Sequence, residues 1–151
     1  MDLNEHIVIF DHALSTLIRT FTINERRFPS AEGRMAYSAH DFETLAYLDH
    51  WPGARAKDLG EHLGVKPTTT QSIIDRLVGR GLVRRDAAYL KGRAVALFLT
   101  EQGGSIQAAI QRQNLANCET MLSVLTKSER SAFVSSIAKI AATVEASKQP
   151  S

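Results

Sequence analysis

Four short polar side chains lie close together in the middle of the sequence, at Thr68, Thr69, Gln71 and Ser72. Hydroxyl and amide groups of this size suit close approach to the edges of DNA bases in the major groove. The amide of Gln71 can form two hydrogen bonds with adenine, and a threonine methyl can contact the thymine methyl. The four residues are therefore candidates for reading a DNA sequence.

Basic residues surround this polar group. Residues 54–93 contain nine Lys or Arg and four Asp or Glu, a net charge of +5, whereas the rest of the chain has nine basic and twelve acidic residues, a net charge of −3. Such cations neutralise DNA phosphates, which supplies most of the affinity and makes it depend on salt. A basic surface that meets only solvent is the alternative, and charge does not decide between the two. The candidate DNA-backbone contacts are Lys66, Arg76, Arg85, Lys91 and Arg93.

A helix that begins at Pro67 and ends near Gly79 is predicted to carry the polar group. Proline suits the first helical position, and inward-facing residues recur after it at helical spacing. Because that face is buried, the polar group is turned outward. A shorter helix precedes it, with Gly64 as its predicted left-handed C-cap. The inward-facing residues of the two helices are Ala56, Leu59 and Leu63, then Thr70, Ile73, Ile74 and Leu77.

Two extended segments follow these helices, at residues 82–85 and 94–99, and residues 86–92 join them as a tip. The second segment is rich in residues that favour β-strands. Two short helices joined by a glycine-containing turn and followed by a basic β-hairpin are typical of a winged helix-turn-helix. We therefore predict a mainly α chain whose DNA-binding lobe spans residues 38–100, with the hairpin as its wing.

Helices with an apolar stripe flank this lobe at both ends of the chain. The first has Asn4 as its predicted N-cap, and the last opens with the capping-box pattern Thr126-x-x-Glu129. Within one chain these stripes cover each other only in part, so residues 1–37 and 101–151 are predicted to form the interface of a homodimer. The stripes consist of Ile7, Phe10, Leu14, Leu17, Ile18 and Phe21 near the start, and of Phe133, Ile137, Ile140 and Val144 near the end.

The order and spacing of these segments resemble the MarR (multiple antibiotic resistance regulator) family of bacterial transcription factors. The resemblance runs without a gap over residues 38–103, and the terminal helices fit the family by position and stripe. Each segment alone is a weak signal, whereas the set in this order is fairly specific. The segments are LGEHLGV at 59–65, KPTTT at 66–70, IIDRL at 73–77, GLVRR at 81–85, RAV at 93–95 and LTEQG at 99–103.

This resemblance implies a homodimeric regulator of transcription that binds a pseudo-palindromic operator in double-stranded DNA. It also implies release of the operator when a small, often phenolic ligand binds between the terminal helices and the lobe. We expect a repressor or, less often, an activator. Aromatic side chains near the second helix are candidates for that ligand site, although core packing is the more common role of such residues. They are Tyr37, Phe42, Tyr47 and Trp51.

The sequence departs from the family at positions that bear on DNA recognition. Lys91 stands where the family's wing usually has an aspartate that orients an arginine, which predicts a more basic but less preorganised wing around Arg93. Ser72 stands where the recognition helix often has an arginine, so base reading depends on Thr69 and Gln71. Lys66 occupies the usual position of a serine cap, and it forgoes about 1 kcal/mol of capping while gaining reach to a phosphate.

Other functions have less support in the sequence. It has no glycine-rich phosphate loop, nucleophile motif or spaced pair of carboxylates, so we expect no enzyme activity, cofactor or metal. The alternatives are a winged-helix module that docks proteins instead of DNA and a redox switch at Cys118, the single cysteine. We expect Cys118 to be buried in a long helix that begins after Thr100, because free cysteines usually are. A sensing role for His40 beside Asp41 is left open.

The sequence also bears on location. No apolar run reaches the roughly 18 to 20 residues of a membrane helix, and residues 1–6 lack the basic leader of a signal peptide. One cysteine excludes a disulfide framework within the chain and suits a reducing compartment. We therefore expect a cytoplasmic protein without a membrane partner.

Overall fold

The computed structural model describes residues 1–21, 37–87 and 94–148 of the chain. The protein has the mainly helical, winged-helix architecture that the sequence predicts, with a small antiparallel sheet. The helices are α1 (Leu3–Thr20), α2 (Ala39–His50), α3 (Ala56–Leu63), α4 (Pro67–Gly79), α5 (Glu101–Ser123) and α6 (Lys127–Ser147). The strands are β1 (Ala54–Arg55), β2 (Val83–Asp86) and β3 (Ala96–Leu99). The chain divides into two compact units, Met1–Gln113 and Asn114–Ser151.

The helix-turn-helix consists of α3 and α4, and two glycines determine how the helices meet. Gly64 ends α3 with φ at 68°, the left-handed conformation that glycine adopts without strain. At Gly60, an added Cβ would lie 2.6 Å from the hydroxyl oxygen of Thr70. That hydroxyl is buried and donates to the Lys66 carbonyl at 3.1 Å, so the close approach leaves no polar group unsatisfied there.

The sheet has β3 at its centre, paired with β1 on one side and β2 on the other. Val83 lies opposite Leu99, and Ala54 lies opposite Leu97. The prediction included β2 and β3 but not β1, because a strand of two residues is too short to show alternation. β1 ties the segment before α3 to the wing strands, so the start of α3 is fixed beside the wing. The tip residues 88–93 lie outside the described residues.

An apolar core holds the helix-turn-helix in place within the first unit. It gathers side chains from α2, α3, α4, the sheet and the first half of α5, where Ile106 and Ile110 are buried. Burying one such side chain contributes about 1.5–3 kcal/mol. The core is therefore a rigid platform from which one face of α4 projects. Its fully buried members include Leu45, Leu48, Leu59, Ile74, Leu77, Leu82 and Leu97.

Neither α1 nor α6 has a buried residue, although both carry large apolar side chains. Phe10 of α1 is 50% exposed and Ile140 of α6 is 49% exposed. The start of α1 corrects the sequence prediction, because Asp2 and not Asn4 is the N-cap, in a reciprocal capping box with Glu5. Among the described helices, none is long and apolar enough to span a lipid bilayer.

Cys118 lies on the exposed part of α5, so the prediction that it is buried is wrong. The reason is the change of environment along this helix. Its first half packs on the core through Ile106 and Ile110, whereas residues 111–123 include no buried residue. Helical spacing placed Cys118 near the apolar stripe, but the core does not extend that far.

Candidate nucleic-acid interface

The outward face of α4 carries the polar group that the sequence singled out. Thr68, Thr69, Gln71 and Ser72 are all exposed, while Thr70, Ile73, Ile74 and Leu77 of the same helix are buried. Ser72 Oγ donates to the Thr68 carbonyl at 3.1 Å, which leaves its oxygen free only as an acceptor. Within the described residues, the side chains of Thr68, Thr69 and Gln71 make no hydrogen bond. Their donors and acceptors are thus available to a ligand.

The N-termini of the two helices of the helix-turn-helix differ from those of the other helices. Capping boxes begin α1, α2 and α6, and Thr100 Oγ1 accepts from the Gly103 N–H at the start of α5. By contrast, α3 and α4 follow Arg55 and Lys66, neither of which makes a side-chain cap hydrogen bond. In α4 the first-turn N–H groups lie at the positive end of a helix dipole beside Lys66, with no acid in the first turn, an arrangement that favours anions such as phosphate. In α3 the first turn already contains Asp58, which pairs with Arg55.

A cavity of about 380 Å³ lies between the start of α3, α4 and the wing strands. Arg55, Lys57 and Arg85 contribute cationic groups to its lining, and Gln71 contributes its amide. Ion pairs orient two of these cations, since Arg55 pairs with Asp58 at 3.4 Å and Arg85 pairs with Asp75 of α4. Gln71, a candidate for reading bases, therefore lies in the same cavity as three cationic side chains.

Sequence reasoning missed Arg55 and Lys57 as members of this surface. The signal was present, because both residues come directly before or within the first turn of a predicted helix, where cations meet the exposed N–H groups. Arg55 and Lys57 were counted in the net charge of residues 54–93, but that count did not distinguish them from the other basic residues of the segment. The strand β1 aligns Arg55 with the wing, and the sequence did not predict this strand.

The predicted phosphate contacts fall into three groups. Lys66 and Arg85 are exposed beside the polar face of α4. Arg76 is ion-paired with Asp41, whose side chain is fully buried, and donates to Ser38 Oγ at 3.3 Å. Lys91 and Arg93 lie outside the described residues. The predicted difference between this wing tip and the family's wing therefore stays a prediction.

The aromatic candidates for a ligand site occupy three different surroundings. The ring centroids of Tyr37 and Phe42 are 5.5 Å apart. Tyr47 stacks on His62 at 4.6 Å, and Trp51 meets the ring of His50 at 4.8 Å. None of the four lines the cavity beside α4. Burial and the carboxylates of Asp58 and Glu61 raise the pKa of Tyr47, so it stays a neutral phenol at physiological pH.

The histidine and acid groups do not assemble a metal site in the part of the chain that the structure describes. His40, left open as a sensing residue, contributes its backbone carbonyl to the Thr44 hydroxyl at 2.7 Å. Its neighbour Asp41 is committed to the ion pair with Arg76. His40 and Asp41 therefore belong to no metal-binding cluster among the described residues.

Comparisons with known proteins agree with this geometry. Residues 38–88 match the model of the MarR family, which confirms the resemblance over that part of the lobe. FabT of Streptococcus pneumoniae, solved in complex with DNA, has a TM-score of 0.80 at 17% identity, and the match covers 95% of this chain and 98% of that chain. PcaV of Streptomyces coelicolor, solved with its natural ligand, has a TM-score of 0.60 at 22% identity, covering 95% and 97%.

A MarR transcriptional regulator from Methanosarcina mazei Go1 is similar as well, with a TM-score of 0.68 at 22% identity over 89% of this chain and 95% of that chain. A comparison with curated proteins finds no match. At these identities the likeness to solved structures establishes the fold, which extends over almost the whole chain.

Proposed function

Since residues 38–88 match the MarR family, we propose that this chain is a sequence-specific DNA-binding regulator of transcription. In this proposal α4 enters the major groove, and Thr69 and Gln71 contact base edges. The observation that carries it is the exposed polar face of α4, on which the side chains of Thr68, Thr69 and Gln71 have no hydrogen-bond partner in the described chain. This face lies beside two helix N-termini that lack side-chain caps. The structure of FabT in complex with DNA, a protein of the same fold, supports the proposal that DNA is the partner.

Phosphates of the DNA backbone are the proposed partners of the cations around α4. Arg55 and Lys57 join Lys66 and Arg85 in this role, and the N–H groups at the start of α4 add hydrogen bonds. We also assign Lys91 and Arg93 of the wing to this set on charge alone. Such contacts make the affinity fall steeply as salt rises.

We further propose that the protein acts as a homodimer on a pseudo-palindromic operator. The exposed apolar side chains of α1 and α6 support this, because their burial against a second copy removes them from water. Two-fold symmetry then places the half-sites about one helical turn, roughly 34 Å, apart. This element of the proposal is independent of which bases α4 reads.

Regulation by a small molecule completes the proposal, with the protein as a repressor. A ligand that binds better to a DNA-incompetent dimer shifts the population away from the operator-bound state. The support is the family match and the natural ligand bound to PcaV, a protein of the same fold. A phenolic ligand is the class that the family resemblance suggests.

Two substitutions separate base reading from phosphate binding. Gln71→Ala is expected to reduce the preference for the operator over random duplex about tenfold to a hundredfold, with little change in random-duplex affinity, because it removes base hydrogen bonds. Arg85→Gln is expected to weaken binding to both duplexes and to lower the slope of log affinity against log salt by about one per subunit. Fluorescence anisotropy at several salt concentrations measures both quantities.

Arg112→Gln is the matched control, because it removes an exposed cation from α5, outside the helix-turn-helix. Its affinity, salt slope and preference should equal those of the unsubstituted protein. Equal losses on operator and random duplex after Gln71→Ala would refute the base-reading role of Gln71. An unchanged salt slope after Arg85→Gln would remove that residue from the phosphate contacts.

A further inference from the structure

A buried carboxylate on α2 holds the recognition helix α4. The side chain of Asp41 is 0% exposed, and its Oδ1 pairs with the guanidinium of Arg76, whose side chain is 30% exposed. A buried charge is costly unless it is paired and hydrogen-bonded, so this carboxylate requires the arginine. Arg76 also donates to Ser38 Oγ at 3.3 Å, which brings it to the first residues of α2.

The two oxygens of Asp41 have different partners. Oδ2 accepts the Ser38 N–H at 2.8 Å, as the second half of the capping box that begins α2. Oδ1 accepts from Arg76, which lies on α4. One carboxylate therefore joins the N-terminus of α2 to the C-terminal half of α4. A shift of α4 along or about its axis would break this arrangement.

A second contact lies at the C-cap of α4, one turn beyond Arg76. The guanidinium of Arg80 stacks over the ring of Tyr37 at 3.7 Å from the centroid, and both residues are buried. The short segment 37–41 thus touches Arg76 of α4 and the arginine that caps its end. The base-reading candidates Thr69 and Gln71 lie toward the other end of the same helix.

We propose that Asp41 and Arg76 are a positioning pair that fixes the orientation of α4, and with it the placement of Thr69 and Gln71 on the bases. In this role Arg76 is not a phosphate contact, since its charge is committed inside the lobe. Hydrogen bonds to base edges weaken steeply with distance and angle, so a small displacement of α4 lowers discrimination. The effect on DNA rests on the proposed function, whereas the effect on α4 does not.

The first test uses amide hydrogen exchange on the full chain without DNA. Asp41→Asn keeps an oxygen for the Ser38 cap but removes the charge, and Arg76→Gln removes the other partner. Either variant is expected to speed exchange of α4 amides at least tenfold, and the double variant no more than a single one, because both changes break the same pair. Glu129→Gln, which alters the capping-box carboxylate of α6, should leave α4 unchanged.

The second test measures affinity for a duplex selected from a random pool and for random duplex across salt concentrations. Both variants are expected to lose about tenfold in preference for the selected duplex, with the salt slope retained. A slope lowered by about one per subunit in Arg76→Gln, with exchange in α4 unchanged, would overturn the proposal and make Arg76 a phosphate contact. Tighter binding by Asp41→Asn would overturn it as well.

Two further arrangements keep the result interpretable. If Arg76→Gln fails to fold, Arg76→Lys keeps the charge but loses the planar fork, and it should show the same faster exchange and reduced preference to a smaller degree. If the unsubstituted protein binds no duplex, the proposed function fails. The exchange experiment then still decides whether the pair holds α4, and unchanged α4 exchange in both variants would reject it.

Discussion

Replacing Gly103 with alanine is expected to lower the free energy of unfolding by about 3 kcal/mol and the melting temperature by roughly 6–12 °C. An added Cβ would lie 2.9 Å from the carbonyl carbon of Leu82 and 3.2 Å from its Cα, and closer still to its oxygen. These are backbone atoms, and that oxygen already accepts the Thr100 N–H at 3.0 Å. The clash therefore forces the start of α5 away from the start of the wing. Thermal unfolding followed by circular dichroism measures the resulting loss of stability.

Gly104, the next residue of the same helix, provides the matched control. An added Cβ there meets no atom within 4 Å. Gly104→Ala is therefore expected to stabilise the protein by about 0.5–1 kcal/mol, the gain of alanine over glycine within a helix. Equal melting temperatures for the two variants would contradict the close packing of Gly103 on Leu82.

Replacing Ile137 with glutamate is expected to convert the proposed dimer into a monomer. Ile137 lies on the apolar stripe of α6 with Phe133 and Ile140, and no residue of that helix is buried within the chain. A carboxylate at the centre of an interface loses its water without gaining a partner, which costs several kcal/mol of association free energy. Sedimentation equilibrium should give the mass of two chains before the substitution and of one chain after it.

Loss of the dimer should also weaken operator binding by about a hundredfold to ten-thousandfold, because two linked half-sites bind with avidity that one lacks. Ser135→Glu places the same charge on the opposite face of α6 and should leave the mass and the affinity unchanged. A dimer that survives Ile137→Glu at micromolar concentration would exclude this face of α6 from the interface.

Much of the lobe could be predicted because its signals are local. Pro67 and Gly64 mark the ends of helices by backbone geometry alone, and the structure has them at the first position of α4 and in the left-handed C-cap of α3. The spacing of Thr70, Ile73 and Leu77 assigned the buried face of α4 correctly, and the exposure of Gln71 followed from it. Helical periodicity needs no knowledge of the neighbouring elements.

The features that were missed depend on residues far apart in the sequence or on very short elements. The pairing of Asp41 with Arg76 joins two helices, and no local pattern marks it. β1 has two residues and exists only because β3 pairs with it. Cys118 has the spacing of a buried residue, but its exposure depends on where the core ends along α5. At the start of α1, Asp2 and Asn4 are both acceptable caps, and the reciprocal bond with Glu5 decides for Asp2.

DNA recognition by this protein is tested by selecting bound duplexes from a random pool with the purified full chain and titrating the enriched duplex at several salt concentrations. We expect enrichment of an inverted repeat with half-sites about one helical turn apart, bound by two copies with an affinity that falls steeply as salt rises. No enrichment after repeated rounds, together with no binding of any duplex at low salt, would contradict DNA recognition.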